Sequence, residues 1–228
     1  MKKKIFFITG TDTNIGKTTA SIFLLKAAKK RGYFTAGYKP IAAGCKKTNF
    51  GLRNKDAILL KTYSTVKLSY EEVNPYSYEF FNPPSFFIKN NEKKNISLKK
   101  ISSGLSGLSK KKADFIIVEG AGGWHTPIST NYLYSDWVIK EKLSVILIVG
   151  IKMGCINHAI LTSREIINSG VHLSGWIANH INKNLFNSIL YVNFIKNKIM
   201  APFLGEIPYI KNINEKYNKN INLIFPEK

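Results

Sequence analysis

Cysteine, arginine and acidic residues are all scarce in this chain. Its two cysteines, Cys45 and Cys155, form no spaced motif. That excludes a disulfide scaffold or a cysteine-ligated zinc site as the organising device. Long hydrophobic runs are also missing: the central apolar stretch VILIV, 145 to 149, is the size of a strand and not of a membrane span. MKKKIFFIT places lysines before apolar residues, as an export signal does, but the apolar part stops at GTDTN with no small-residue cleavage site. A first β-strand and a cytoplasmic location are therefore expected.

The shortage of acid leaves 34 lysines and arginines against 14 carboxylates, a formal net charge of +20. Such a balance raises nucleic-acid binding as a function class. Arginine, the side chain that forks onto phosphates and base edges, occurs only as Arg31, Arg53 and Arg164. The lysines are interspersed with asparagine, as in KNNEKKN and KNINEKYNKNIN, and do not cluster. A solvated, lysine-rich surface accounts for the charge better than a nucleic-acid interface.

Of the 228 residues, 44% are hydrophobic and 12% aromatic, enough to bury a large core and to exclude wholesale disorder. Apolar strand patterns (KIFFITG, TAGY, DFIIVEG, SVILIVG, LSGWIAN, FLGEIP) alternate with helical ones. The helical stretches are TTASIFLLKAAKKRG, SDWVIKEKL, NHAILTSREIINSG and residues 184–198. Strands that are apolar throughout, separated by helices, indicate a parallel sheet covered on both faces. The expected fold class is α/β, a P-loop NTPase-like parallel sheet with helices on both faces, in one domain over residues 1–228. Residues 64–95, rich in proline and aromatics, read as a long excursion.

The first strand runs into GTDTNIGKTT. The phosphate-binding pattern G-x-x-x-x-G-K-[ST] would put a glycine at Thr11, yet the glycine is Gly10. The context still fits, because an apolar strand precedes the loop and a helix follows. Backbone N–H groups and a helix N-terminus there can hold phosphate, with Lys17 on the terminal phosphates and Thr18 offering its hydroxyl to Mg²⁺. A hard cation needs carboxylates, and Glu119 stands at the end of DFIIVEG, where ligands gather in open α/β sheets. The GAGG that follows lets backbone approach a charged ligand closely. Asp56 and Asp12 are further acidic candidates. Lys39, leaving the second strand before Pro40, can stabilise transferred phosphoryl charge.

In their order, GTDTNIGKT, AGYKPIAAG, GLRNKDA, VNPY, VEGAGGWHTP, DWV, GCINHA, GWIAN and LGEIP closely resemble the dethiobiotin synthetase family. The resemblance runs from residue 9 to about 210 and omits segment 85–112 and the lysine-rich tail. The stretched loop is itself family-like, since these enzymes carry five residues between the glycines. The resemblance implies an ATP- and Mg²⁺-dependent ligase that joins CO₂ to 7,8-diaminononanoate (diaminopelargonate) through a carbamate and a mixed anhydride.

It also implies site residues. Lys39 and Lys17 are catalytic. Asn14, Ile15, Gly16, Lys17, Thr18 and Thr19 cradle the phosphates, and Thr18, Asp56 and Glu119 hold the metal. Glu119, Gly120, Ala121 and Gly122 line the nucleotide. Asn179 reads adenine next to His180, while Pro208, Tyr209, Ile210 and Glu215 close over the base. The positions of Ala43, Thr11 and Asn157 face the diamine, Asn157 reaching the site of a second subunit in a homodimer. Two departures stand out: Ala43 replaces a Ser or Thr that contacts substrate, and His180 replaces an acid beside the base. His125 and His158 are read as loop residues near the site without acid–base roles. Two alternatives fit less well. An amidoligase-like or reductase-like relative would need a further domain or cluster cysteines. A partitioning ATPase would carry a lysine where Thr11 stands.

Overall fold

The computed structural model describes residues 3–79, 96–211, 221 and 223–226. Its framework is a six-stranded sheet built from the apolar runs: Lys4–Gly10 (β1), Thr35–Tyr38 (β2), Phe115–Glu119 (β7), Ser144–Ile151 (β8), Leu173–His180 (β9) and Phe203–Ile207 (β10). The strand order is β10-β9-β8-β1-β7-β2, and every neighbouring pair is parallel. In β2, β7 and β8 every residue is buried, which explains why these strands lack polar alternation.

The helices on this sheet are Lys17–Lys30 (α1), Lys55–Tyr63 (α2), Tyr134–Lys140 (α5), Cys155–Asn168 (α6) and Ser188–Lys196 (α7). From β1 the chain crosses through α1 toward the β2 edge; from β8 it crosses through α6 toward the β10 edge. Right-handed crossovers in opposite directions place α1 and α6 on opposite faces. The connections of the adjacent strands β1 and β8 thus diverge and open a crevice at their carboxyl ends.

Close packing of sheet and helix relies on a few residues. A Cβ on Gly37 would lie 2.7 Å from Leu60 Cβ, so α2 sits directly on β2. Phe7 packs beside Trp124, Tyr134 and Trp137, with ring centroids 5.7–6.4 Å apart.

Several elements were not expected from the sequence. The first part of the proline-rich excursion is ordered: Tyr70–Val73 (α3) is closed by a Ser69–Glu72 capping box, and Tyr76–Ser77 (β6) pairs with Ile41–Ala42 (β3). Its remainder, residues 80–95, lies outside the described residues. Lys46–Thr48 (β4) and Gly51–Arg53 (β5) form a small antiparallel hairpin. Leu98–Lys110 (α4) is rich in serine, glycine and lysine, which hides its helical character. Only Ile101, Leu105 and Leu108 are buried, and their spacing is one helical face. Among the described residues no helix is long and apolar enough to cross a membrane.

Trp137 is fully buried, and its indole nitrogen donates to Ser102 Oγ at 3.1 Å, joining α5 to α4. Trp137→Ala should lower unfolding free energy by about 3–5 kcal/mol through cavity formation, measured as a reduced urea midpoint. A loss below about 1 kcal/mol would contradict this packing.

Candidate active site

The loop between β1 and α1 is shaped by two residues with left-handed backbone, Asn14 (φ 57°) and Gly16 (φ 85°). Asparagine tolerates that region better than most residues, and glycine carries no penalty there. Beneath the loop lies Ile15, fully buried. Its side chain fills space left by two glycines: a Cβ on Gly10 or Gly150 would come within 2.8 or 2.6 Å of it. The extra residue between Gly10 and Gly16 therefore still permits a packed loop. Helix α1 starts at Lys17 with no side-chain cap on its first N–H groups. Gly16, Lys17, Thr18 and Thr19 at that terminus line the cavity, the placement an anion site requires.

Lys17 is largely buried, and its Nζ donates to the carbonyl of Asp12 at 2.9 Å. Burial, with the nearby Lys39 charge adding to it, lowers its pKa to about 8.

Lys39 follows β2 directly and is held at its backbone, where its N–H donates to Val73 O and its carbonyl accepts from Asn74 Nδ2. Its ammonium lies 2.6 Å from Glu119 Oε1 and 3.4 Å from Asp56 Oδ2. Burial alone would lower the Lys39 pKa, but Glu119 and Asp56 outweigh it and the net shift is upward. The lysine is thus held charged in a dry site.

Asp56 is brought there by Asn54, which caps α2 by accepting from the N–H groups of Asp56 and Ala57. The same Asn54 donates through Nδ2 to Ala43 O at 3.1 Å. One side chain thereby fixes the Asp56 and Ala43 positions together.

Glu119 is fully buried and accepts from Thr18 Oγ1 at 2.8 Å as well as from Lys39, both at Oε1. Its other oxygen, Oε2, is buried with no hydrogen-bond partner. Unsatisfied carboxylate oxygens at zero exposure are costly, and a cation or donor from a ligand would satisfy this one. Thr18, Asp56 and Glu119 supply one hydroxyl and two carboxylates. Among the described residues no group of three or more His, Cys, Asp or Glu side chains forms a metal site. The hydroxyl and two carboxylates are hard oxygen donors of the kind that suit Mg²⁺, a cation that keeps phosphate oxygens and waters among its ligands.

These groups line a cavity of about 550 Å³ at the carboxyl ends of β1, β2 and β7. Asn14, Gly16, Lys17, Thr18, Thr19, Lys39, Ala43, Asp56, Glu119, Ala121 and Gly122 all face it. Other expected residues lie elsewhere. Ile15 and Gly120 act beneath the surface; a Cβ on Gly120 would meet the Phe7 ring at 2.6 Å. Thr11 extends the sheet, its N–H donating to Ile148 O at 3.0 Å. Asn179 is buried and donates to Ile15 O, while His180 pairs with Glu206 Oε2 at 2.9 Å. Pro208, Tyr209 and Ile210 follow β10, with Pro208 and Tyr209 exposed; Asn157 is exposed on the first turns of α6. Glu215 lies outside the described residues.

Thr13, Ile41, Thr126, Pro127 and Tyr134 also line the cavity but were not singled out from the sequence. Lys152 was missed as well. It pairs with Asp12, which is thereby engaged away from the metal-ligand set. Its position just past the end of β8 is the same kind of signal that exposed Lys39. His125 bridges Ser135 Oγ (2.9 Å) and Glu165 Oε1 (3.2 Å), a tie between α5 and α6.

Two outcomes follow from this electrostatic arrangement. Lys39→Met leaves the Glu119 charge buried without its partner and should cost about 3–5 kcal/mol of stability, measured by urea denaturation. The double variant Lys39→Met/Glu119→Gln should recover most of that loss, and equal instability of the two would contradict the pairing.

Lys17 loses its proton as pH rises through about 8, whereas a bound phosphate anion favours its charged form. Nucleotide affinity should therefore be highest below that value and decline above it. Proton uptake on binding near pH 8–9 should appear in calorimetry as a dependence on buffer ionisation enthalpy. Affinity unchanged between pH 7 and pH 9.5 would contradict a buried, titrating Lys17.

The arrangement has counterparts of known kind. A family model described as an AAA domain matches residues 4–217. The ATP-dependent dethiobiotin synthetase BioD of Buchnera aphidicola subsp. Baizongia pistaciae (strain Bp) is 49% identical over 226 residues, covering 98% of each chain. BioD 1 of Escherichia coli (strain K12) is 47% identical over 223 residues, or 96% of this chain and 98% of that protein. Among solved structures, a ParA family ATPase from Chlorobium tepidum TLS is 14% identical with TM-score 0.52, covering 92% of this chain and 85% of its own. The MinC:MinD cell division protein complex of Aquifex aeolicus gives TM-score 0.53 at 17% identity, covering 91% and 82%. These distant structures speak to the parallel-sheet fold alone. The near-full-length identity with the BioD proteins establishes that the chain belongs to the ATP-dependent dethiobiotin synthetase family.

Proposed function

We infer that this chain closes the ureido ring of dethiobiotin from 7,8-diaminononanoate, CO₂ and ATP, a step of biotin biosynthesis. The observation that carries the reading is the buried Lys39–Glu119 pair, joined by the half-exposed Asp56 and by Thr18, facing the phosphate loop across one cavity. One amine adds to CO₂, losing a proton to give a carbamate. A carbamate oxygen then attacks the γ-phosphorus of ATP, forming a carbamic–phosphoric anhydride and releasing ADP. The second amine attacks the carbonyl, phosphate leaves, and the ring closes with loss of a proton. Because both amines belong to one molecule, the last step draws on proximity.

The residues divide this work. The loop from Asn14 to Thr19 and the α1 N-terminus bind the triphosphate. Lys17 reaches its terminal part, and Lys39 neutralises carbamate and transferred phosphoryl charge without needing to gain or lose a proton. Thr18, Asp56 and Glu119 hold Mg²⁺, which when bound supplies charge neutralisation on the phosphate oxygens. Gly120, Ala121 and Gly122 give backbone close to the nucleotide. Asn179, with Pro208, Tyr209, Ile210 and Glu215, receives the base, and His180 alters that surround relative to its acidic counterpart. Thr11, Ala43 and Asn157 belong to the diamine side.

A homodimer accords with the exposed apolar residues of α6, α7 and the loop between β9 and α7, notably Leu161, Phe186, Ile189, Leu190 and Phe194. Asn157 stands on α6 and would contribute to the site of the partner. The reading includes a cytoplasmic location.

Purified protein with MgATP, bicarbonate and diaminopelargonate should yield dethiobiotin, ADP and phosphate in equal amounts. ATP turnover indifferent to the diamine would overturn the reading. Ala43→Ser restores a hydroxyl on the substrate side and should lower the KM for diamine about two- to tenfold, the worth of one hydrogen bond. An unchanged KM would remove Ala43 from the diamine site.

A further inference from the structure

Asn179 stands near the end of β9, is only 5% exposed, and donates from Nδ2 to the carbonyl of Ile15 at 2.7 Å. The contact crosses the end of β8, where Gly150 is its register partner. A side chain at Gly150 would collide with Ile15, and a Cβ on Gly16 would lie 2.0 Å from Asn179 Nδ2. Two glycines thus make room for one amide to reach the loop.

The acceptor is informative. Ile15 C=O and Gly16 N–H belong to one planar trans peptide unit, so they point in opposite directions. Gly16 lines the cavity, whereas Asn179 is buried outside that lining and bonds the Ile15 carbonyl. A loop that turns its N–H groups toward an anion must find donors for the carbonyls turned away. Asn179 is that donor for Ile15. The adjoining backbone is left-handed at Asn14 and Gly16, so local preference alone does not hold this peptide orientation.

We propose that Asn179 is a positioning residue for phosphoryl transfer: its amide locks the Ile15–Gly16 peptide so that Gly16 N–H faces the phosphates. This role rests on the ATP-binding reading above and goes beyond contact with the base. The amide nitrogen carries two hydrogens, so one can serve Ile15 while the other remains for a ligand. A single residue then couples the base end of the nucleotide to its phosphate end.

The test separates base reading from loop positioning with a ligand that has no base. Affinities of the wild type, Asn179→Ala and Asn179→Asp for Mg²⁺–tripolyphosphate and MgATP are measured by calorimetry, with kcat at saturating MgATP and the melting temperature. Positioning predicts that both variants bind tripolyphosphate about three- to tenfold more weakly, with kcat reduced at saturation. Asn179→Asp should be the more affected, because it sets an oxygen against Ile15 O. Unchanged tripolyphosphate affinity and kcat, with weakened ATP binding or a lower melting temperature alone, would overturn positioning and leave phosphate binding by the loop intact. Failure of the wild type to bind either ligand would overturn the phosphate-loop reading itself.

If neither variant folds, the Asn179 side-chain amide of the wild type is followed by NMR. One slowly exchanging Nδ2 proton, free and with MgADP, supports the lock; rapid exchange of both rejects it.

Discussion

Lys39 and Glu119 form an ion pair with almost no access to water, 2.6 Å apart, and the remainder of the site is arranged around it. Neither charge could be buried alone, because desolvation of an isolated ion exceeds what packing returns. Together they bring the ends of β2 and β7 into one electrostatic unit, and Asp56 and Thr18 join it from α2 and α1. The pair leaves Glu119 Oε2 without a partner, so the protein holds a demand for positive charge at that point. On the proposed reading a nucleotide–metal complex would meet this demand, and Lys39 in turn would meet that of the anions. Binding and preorganisation are two sides of one arrangement.

The pair also explains why the surrounding backbone is so closely held. Asn74 and Val73 clamp Lys39, while Asn54 ties Asp56 to Ala43. These are uncharged hydrogen-bonding groups that contribute no chemistry themselves. They fix the backbone at Lys39, Asp56 and Ala43, and so the points from which the charged side chains project into the cavity. The loop opposite is held by Ile15 packing and by the Asn179 bond to Ile15 O, so both walls of the cavity are anchored by contacts within the protein.

Much of this was readable in the sequence. Gly16, Lys17 and Thr18 fall at a strand–helix junction, and Lys39 and Glu119 fall at strand ends, places where an α/β sheet gathers ligands. Ala121 and Gly122 were legible for the same reason. Helix α4 was not, because serine and glycine dilute the pattern and only three apolar positions mark its buried face. Lys152 and Asn54 escaped because their significance depends on what they meet: Asp12 in one case, Ala43 and the α2 backbone in the other. Asn179 was expected at the base, while its bond to Ile15 spans 164 positions in the chain and leaves no local signature.

The six strands of the parallel sheet, helices α1, α5, α6 and α7 between them, the glycine loop after β1 and the chemical class of the site were determined by the sequence itself. Apolar periodicity, turn residues and charge type act locally along the chain, and they survive as pattern. Tertiary structure alone decided which carboxylate pairs with Lys39, which Glu119 oxygen is left without a partner, and that burial lowers Lys17 to about 8. It also decided that Asp12 turns to Lys152 and Ile15 becomes a buried wedge. Those outcomes depend on distance and desolvation between segments remote in sequence, quantities that exist only once the sheet has assembled.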